Sequence, residues 1–252
     1  MNSLSGTVAL VTGASSGIGE ATALALAAEG ARVAIAARRV DRLERLAEKL
    51  GGASEALVLK ADITHEDEVR QMVARTVAEF GRLDTLVNNA GVMLLGPILD
   101  APTDEWRRMV QLNVLGLLYC THAGLPHLLH AASQGPRQVA DLVNVSSVAG
   151  RVARQGSAVY NATKFGVGAF SESLRQEVTA RHVRVTVVEP GLVATELVGH
   201  NRPEVQQTIR EAFGAMEPLR AADIADAVVY AVTRPRHVAL NEILVRPTMQ
   251  ER

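Results

Sequence analysis

The chain has 252 residues, 48% of them hydrophobic and only 3% aromatic, with a formal net charge of −1. This length suits one well-buried α/β domain, and acidic and basic residues are mixed throughout, so neither a nucleic-acid nor a membrane surface is expected. The single cysteine, Cys120, excludes an internal disulfide; in an apolar helical run it reads as a buried inert thiol rather than a nucleophile.

The N-terminus carries neither the basic segment nor the long apolar stretch of a signal peptide, and no run approaches a membrane-spanning length. A cytoplasmic protein is therefore expected. The first element is the apolar run Thr7–Thr12, read as a strand. Gly13-Ala-Ser15-Ser16-Gly17-Ile18-Gly19 follows, then a helical run from Glu20 to Glu29. Strand, glycine-rich turn and helix in that order make a phosphate cradle: glycines let the backbone approach a pyrophosphate, which sits on the helix N-terminus. The spacing is G-x-x-x-G-x-G rather than the commoner G-x-G-x-x-G.

Strand Arg32–Ala37 comes next, followed by Arg38 and Arg39. An acid at the end of this strand would accept hydrogen bonds from a ribose diol. Ala37 stands there instead, and two guanidinium groups suit bidentate binding of a 2′-phosphate. The pattern predicts NADP(H) rather than NAD(H). Asp41 falls in the first turn of the helix Val40–Leu50. Further strands are read at Ala56–Lys60 and Thr85–Asn88, with a helix His65–Phe80 between them opened by a variant capping box, Thr64 to Asp67.

The second half continues with a long helix Asp104–Leu129, a turn-rich surface loop Ala131–Arg137 and a strand Asp141–Ser146. Helix Ser157–Thr179, strand Arg184–Glu189, helix Ala221–Thr233 and strand Leu240–Arg246 follow. Alternating β and α elements with short connections predict a doubly wound, Rossmann-type α/β fold, one domain over 1–252, with a mostly parallel seven-stranded sheet and helices on both faces. The segment Gly191–Pro218 interrupts the rhythm. The seven histidines are scattered; His122, His127 and His130 suit a helix flank, and no metal site is assigned.

Tyr160 and Lys164 lie four apart in a helix, so both project from one face. A phenol titrates near about 10 and is a poor acid or base at neutral pH, whereas a neighbouring ammonium favours the phenolate. Ser147, thirteen residues upstream, supplies a hydroxyl that can hold a substrate oxygen. These residues read as a proton-transfer apparatus.

Together, Thr12 to Gly19, Asp62, Asn88-Asn-Ala-Gly91, Asn113, Ser147, Tyr160-x-x-x-Lys164 and Pro190 to Thr195 resemble the short-chain dehydrogenase/reductase family, over roughly Leu4 to Arg246. The stretches Ala36–Arg39, Asn88–Pro97, Phe165–Glu177 and Glu242–Pro247 are similar to the branch of NADP-dependent reductases that includes clavulanic acid dehydrogenase, and to 3-hydroxy acid dehydrogenases. The resemblance implies hydride transfer between the nicotinamide and a small-molecule carbonyl or alcohol. Tyr160 would be the general acid/base, Ser147 would hold the carbonyl oxygen, Lys164 would bind the nicotinamide ribose, and Asn113 would carry a proton relay. It selects Ser147 over Ser146. It also assigns Asp62 and Ile63 to the adenine, Asn89, Ala90 and Gly91 to the adenosine ribose, and Pro190, Gly191, Val193 and Thr195 to the carboxamide end, with Asn88 structural.

By the same resemblance 191–218 is a substrate lid. A dimer or tetramer is expected from helices apolar over more than one face, although the tail after the last strand departs from the common family ending. Met93, Leu94, Leu95, Val148, Val152 and Leu192 are expected around the pocket. Arg151, Arg154 or Gln155 could meet a carboxylate or equally face solvent. An acidic aldehyde or a 3-oxo/3-hydroxy acid is the first substrate expectation, a hydrophobic ketone or aldehyde the second. An isomerase or dehydratase that recycles its nicotinamide, and a non-catalytic NADPH-binding protein, are the alternative classes.

Overall fold

The computed structural model describes residues 3–52, 55–214 and 216–251. Seven strands form one sheet, β1 (Val8–Thr12), β2 (Arg32–Ala37), β3 (Ala56–Lys60), β4 (Thr85–Asn88), β5 (Ala140–Val145), β6 (Val183–Pro190) and β7 (Glu242–Val245). Their order is β3-β2-β1-β4-β5-β6-β7 and every pairing is parallel. β1, β4, β5 and β6 are buried along their whole length, as continuous Val/Leu/Ala-rich strands covered on both faces must be. The order reverses between β1 and β4, and there the carboxyl ends of the strands open a crevice.

The helices divide between the two faces. Helices α1 (Gly17–Ala28) and α2 (Val40–Lys49) pack with α8 (Ala221–Val232) on one side, through Ala23, Leu26, Leu43, Leu46, Ile224 and Val228. On the other side lie α3 (Glu66–Phe80), α5 (Leu117–Gln134) and α6 (Ala158–Val178), which bury Val69, Met72, Cys120, Leu128 and Leu174. A further helix, α4 (Thr103–Val110), adds Met109 to a small cluster with Val92, Leu94 and Tyr160 beneath the crevice.

Three sequence expectations need correction. The single helix expected over Asp104–Leu129 is α4 and α5 joined by a π turn, Gln111–Gly116. Asn113 is buried in that turn and spends its amide on the backbone of Val92, accepting from its N–H and donating to its carbonyl, both at 2.8 Å. The loop expected from Ala131 begins at Gly135, because Ala131 and Ala132 are core residues that keep α5 helical. Nor is the rest of it idle: Arg137 donates to Asp141 at 3.0 Å and also holds the Val232 carbonyl at the end of α8. The capping box at Thr64 is absent as well. His65 is the N-cap, without a side-chain cap bond, and Thr64 turns back to Asp62 at 2.8 Å.

The segment expected as a lid has its own structure: a 3-10 turn, Glu196–His200, and a helix α7 (Pro203–Phe213). Its base is closed by Leu219 N–H donating to Leu192 O at 2.9 Å and Ala194 N–H donating to Leu219 O at 2.8 Å. Its far side rests on the loop after β4, where Leu95 N–H donates to Asn201 Oδ1 at 2.8 Å, and on α4, where Arg202 lies 3.2 Å from Glu105.

Candidate active site

The glycine-rich turn leaves β1 and enters α1. Gly13 sits at φ +66°, and a Cβ there would lie 2.8 Å from Ala90 Cα, so a side chain is excluded on both counts. The turn is locked to the end of β4. Thr12 Oγ1 accepts from the N–H groups of Asn89 and Ala90 at 3.1 and 3.2 Å, while Asn89 Nδ2 donates to Thr12 O at 2.9 Å. Ser16 is the N-cap of α1, extended and making no side-chain cap bond to the helix. Asn88 bonds Thr121 and Asn144 inside the core.

Across the crevice, the end of β5 and the start of α6 bring Ser147, Tyr160 and Lys164 together. Tyr160 and Lys164 are both buried in the wall of the cavity. Lys164 Nζ donates to Val145 O at 2.9 Å and lies 5.8 Å from the Tyr160 ring centroid. Ser147 lines the cavity and accepts from Ala149 N–H at 3.1 Å, whereas Ser146 turns inward to Lys164 O at 3.1 Å. Burial pushes the Tyr160 hydroxyl up to about 12, and a hydrogen bond with Ser147 draws it back only partly. Burial also brings Lys164 down to about 8. Burial is thus the dominant influence on both groups, in opposite directions.

The cofactor-specificity end is more occupied by protein charge than the sequence suggests. Arg38 lies 3.7 Å from Asp62, whose carboxylate also accepts from Thr64. Arg39 folds over the glycine-rich turn, donating to Ser15 Oγ at 3.0–3.1 Å and Ser16 Oγ at 2.8 Å, and it pairs with Glu196 of the 3-10 turn after β6 at 2.8 Å. Ile63 packs against Gly116 of the π turn.

At the carboxyl end of β6, Pro190 closes the strand and Gly191, Val193 and Thr195 line the cavity. Sequence reasoning missed Gln250. The tail folds back so that its buried Oε1 accepts from Leu192 N–H at 2.9 Å, and a Cβ on Gly191 would lie 2.2 Å from that oxygen. The tail thus packs directly against Gly191, with Pro247 Cδ 3.0 Å from the same point. No local pattern signals a contact between residues 58 apart.

Two substrate expectations also change. Arg151 does not line the cavity: it forks onto Glu189 at 2.8 Å and bonds Glu242 on the edge strand. Leu94 is packed with Met109 rather than facing the pocket. Met93, Leu95, Val148, Val152 and Leu192 do line it, with Arg154 and Gln155.

The result is one continuous cavity of about 670 Å³, from Arg38 and Arg39 past the glycine-rich turn to Tyr160 and α7. A turn with no room for side chains, an uncapped helix start, basic groups at one end and Ile18, Ile63, Val145 and Val193 along the walls fit a dinucleotide.

Comparison with known proteins agrees. The family model of short chain dehydrogenases matches residues 7–206. An uncharacterised oxidoreductase of Staphylococcus saprophyticus is 38% identical over 253 residues, covering 99% of each chain. Among solved structures, the closed form of serine dehydrogenase complexed with NADP+ superposes with a TM-score of 0.89 at 31% identity, covering 98% of this chain and 97% of the other. The 3-ketoacyl-(acyl-carrier-protein) reductase from Brucella melitensis, complexed with NADH, gives 0.85 at 30% identity, covering 97% and 98%. With its all-parallel sheet, its glycine-rich turn and its buried tyrosine–lysine pair at one cavity, this chain belongs to the short-chain dehydrogenase family of oxidoreductases.

Proposed function

We propose that the protein is an NADPH-dependent reductase of a small carbonyl compound, with Tyr160 as the proton donor to the carbonyl oxygen. The observation that carries this reading is the shared cavity: Ser147, Tyr160 and Lys164 at one end, the glycine-rich turn and two arginines at the other. The dinucleotide would lie along Gly13–Gly19, Asp62, Ile63 and Asn89–Gly91, its nicotinamide end held by Tyr160, Lys164, Pro190, Gly191, Val193 and Thr195. When bound, it supplies the hydride.

The chain's own groups do the rest. Ser147 and Tyr160 donate to the carbonyl oxygen, so charge developing on it meets placed donors in a dry site. Tyr160 then yields its proton, completing the alcohol. Burial holds the proton on Tyr160, and Lys164 is the nearby cation that favours the phenolate left behind, easing the transfer that burial alone would oppose. Asn113 belongs to the same assembly as a positioning group that ties the π turn to the strand-end loop at Val92. Residues 191–218, seated on Leu95 and Glu105, would exclude water.

The substrate reading is a 3-oxo acid or an acidic aldehyde. It rests on Arg154 and Gln155 beside the apolar lining, and on likeness to a serine dehydrogenase and a 3-ketoacyl reductase. The NADPH preference rests on Ala37, Arg38 and Arg39 and on the NADP+ carried by the first of those relatives; the second carries NADH. Replacing Arg38 by Ala should raise KM for NADPH several-fold more than for NADH, in assays of both cofactors. Equal changes for the two would sink the preference.

A further inference from the structure

The arginine that the NADP reading needs already holds a carboxylate of its own chain. Glu196, the first residue of the 3-10 turn in the lid, bridges Arg39 at 2.8 Å and Arg42, one turn into α2, at 2.5 Å. Arg39 meanwhile grips Ser15 and Ser16 of the glycine-rich turn, so the bridged pair sits beside that turn on the cavity wall. Two guanidinium groups around one carboxylate leave a net charge of +1. Removing the carboxylate leaves +2, which matches a phosphate monoester carrying about −1.5 to −2 at neutral pH.

Resting on the NADP reading, we propose that Glu196 is an internal counter-ion for the 2′-phosphate site, that Arg42 is a second guanidinium of that site beside Arg39, and that the phosphate binds by exchange with Glu196. The side chains are half exposed, so exchange needs a rotation of Glu196 rather than opening of the core. Glu196 is held well down, to about 2, chiefly by Arg42 and then Arg39, so it stays an anion and a competitor at physiological pH. In this arrangement Glu196 tunes selectivity: it opposes dinucleotides that bear the phosphate and is neutral towards those that lack it. It also joins the lid to the cofactor's far end.

The test is equilibrium binding by calorimetry, using NADPH, NADH, 2′,5′-ADP and ADP as probes, to wild type, Glu196→Gln and Arg42→Gln at low and high salt. Glu196→Gln should tighten NADPH and 2′,5′-ADP about three- to fivefold, the scale of one half-exposed ion pair. NADH and ADP should stay within about twofold, and the gain should shrink at high salt. Arg42→Gln should weaken the two phosphate-bearing probes by a similar factor. If Glu196→Gln leaves 2′,5′-ADP unchanged or weakens it, the proposal is overturned, and Glu196 then organises the arginines instead. If Glu196→Gln weakens NADH, the carboxylate is a ribose ligand and the proposal fails equally. The wild-type ratio of NADPH to NADH affinity judges the NADP reading separately, because the proposal concerns only the change on mutation.

Discussion

Lys164 and Tyr160 are costly residues to bury, and that cost sets how the protein should respond to pH. The folded chain holds the Lys164 proton only to about 8, against 10.5 when exposed. Between those values the unfolded state carries more protons, so stability rises with pH across that window. Tyr160 acts oppositely: folded it keeps its proton to about 12, unfolded to 10, so its contribution is lost as pH rises between them. The Lys164 shift corresponds to about 3 kcal/mol, offset by about 1 kcal/mol for the bond to Val145 O. Lys164→Met should therefore be inactive yet at least as stable as wild type at pH 7, with the gap closing as pH rises from 8 to 10. Urea unfolding of both proteins across that range checks it; a variant much less stable at pH 7 would contradict it. At this scale the grouping of Ser147, Tyr160 and Lys164 at one cavity was legible, because they lie close in sequence on consecutive elements. Gln250 and Glu196 were not, since their partners lie 58 and 157 residues away and only the topology joins them. The place of Arg151 stayed open for the same reason: Glu189 and Glu242 that hold it come from later strands.

Elements were readable wherever apolar runs or amphipathic periods were long. β2, β3 and β4 fall where the sequence places them, and the other strands within two residues. Failures came where tertiary contacts override local signals. The π turn follows from Asn113 turning to Val92, and α5 runs past its expected end because Ala131 and Ala132 have core to cover. Helix α7 lay inside the segment 191–218, which the sequence reading expected as a lid without a helix of its own. At the opposite, amino-terminal ends of the strands, buried Asp141 holds Arg184 at 2.7 Å and Arg137 at 3.0 Å. Arg184 in turn donates to Val232, Arg234 and Val238 carbonyls, so this knot fastens α8 and the following chain to β6. Asp141→Ala would leave a buried guanidinium without its carboxylate and should cost about 3–5 kcal/mol. Chemical denaturation measures this; a loss below about 1 kcal/mol would mean that the carbonyls alone hold Arg184.

Across the whole molecule, strand order does the functional work. The reversal between β1 and β4 puts the glycine-rich turn against the end of β4, and the next two strands deliver Ser147 and the Pro190 turn to the same crevice. Among the described residues, no helix is long and apolar enough to cross a membrane. Val110 and Leu115 near the π turn, and Phe165 on α6, are exposed, with Gly166 and Gly168 leaving open space beside Phe165. These side chains would serve the expected dimer or tetramer as a subunit contact. Phe165→Glu should lower the mass seen by light scattering to that of a smaller assembly; a wild type that is already monomeric would refute the assignment.

The central claim is that Tyr160 gives its proton to a carbonyl reduced at the expense of NADPH. The direct measurement follows loss of nicotinamide absorbance with a panel of 3-oxo acids, acidic aldehydes and ketones, for wild type and Tyr160→Phe, with NADPH binding measured on both. The account predicts turnover by wild type, a fall of about 10²–10⁴ in kcat for Tyr160→Phe, and unchanged cofactor affinity. Turnover that survives the loss of the hydroxyl, or NADPH binding with no turnover across the whole panel, would contradict it.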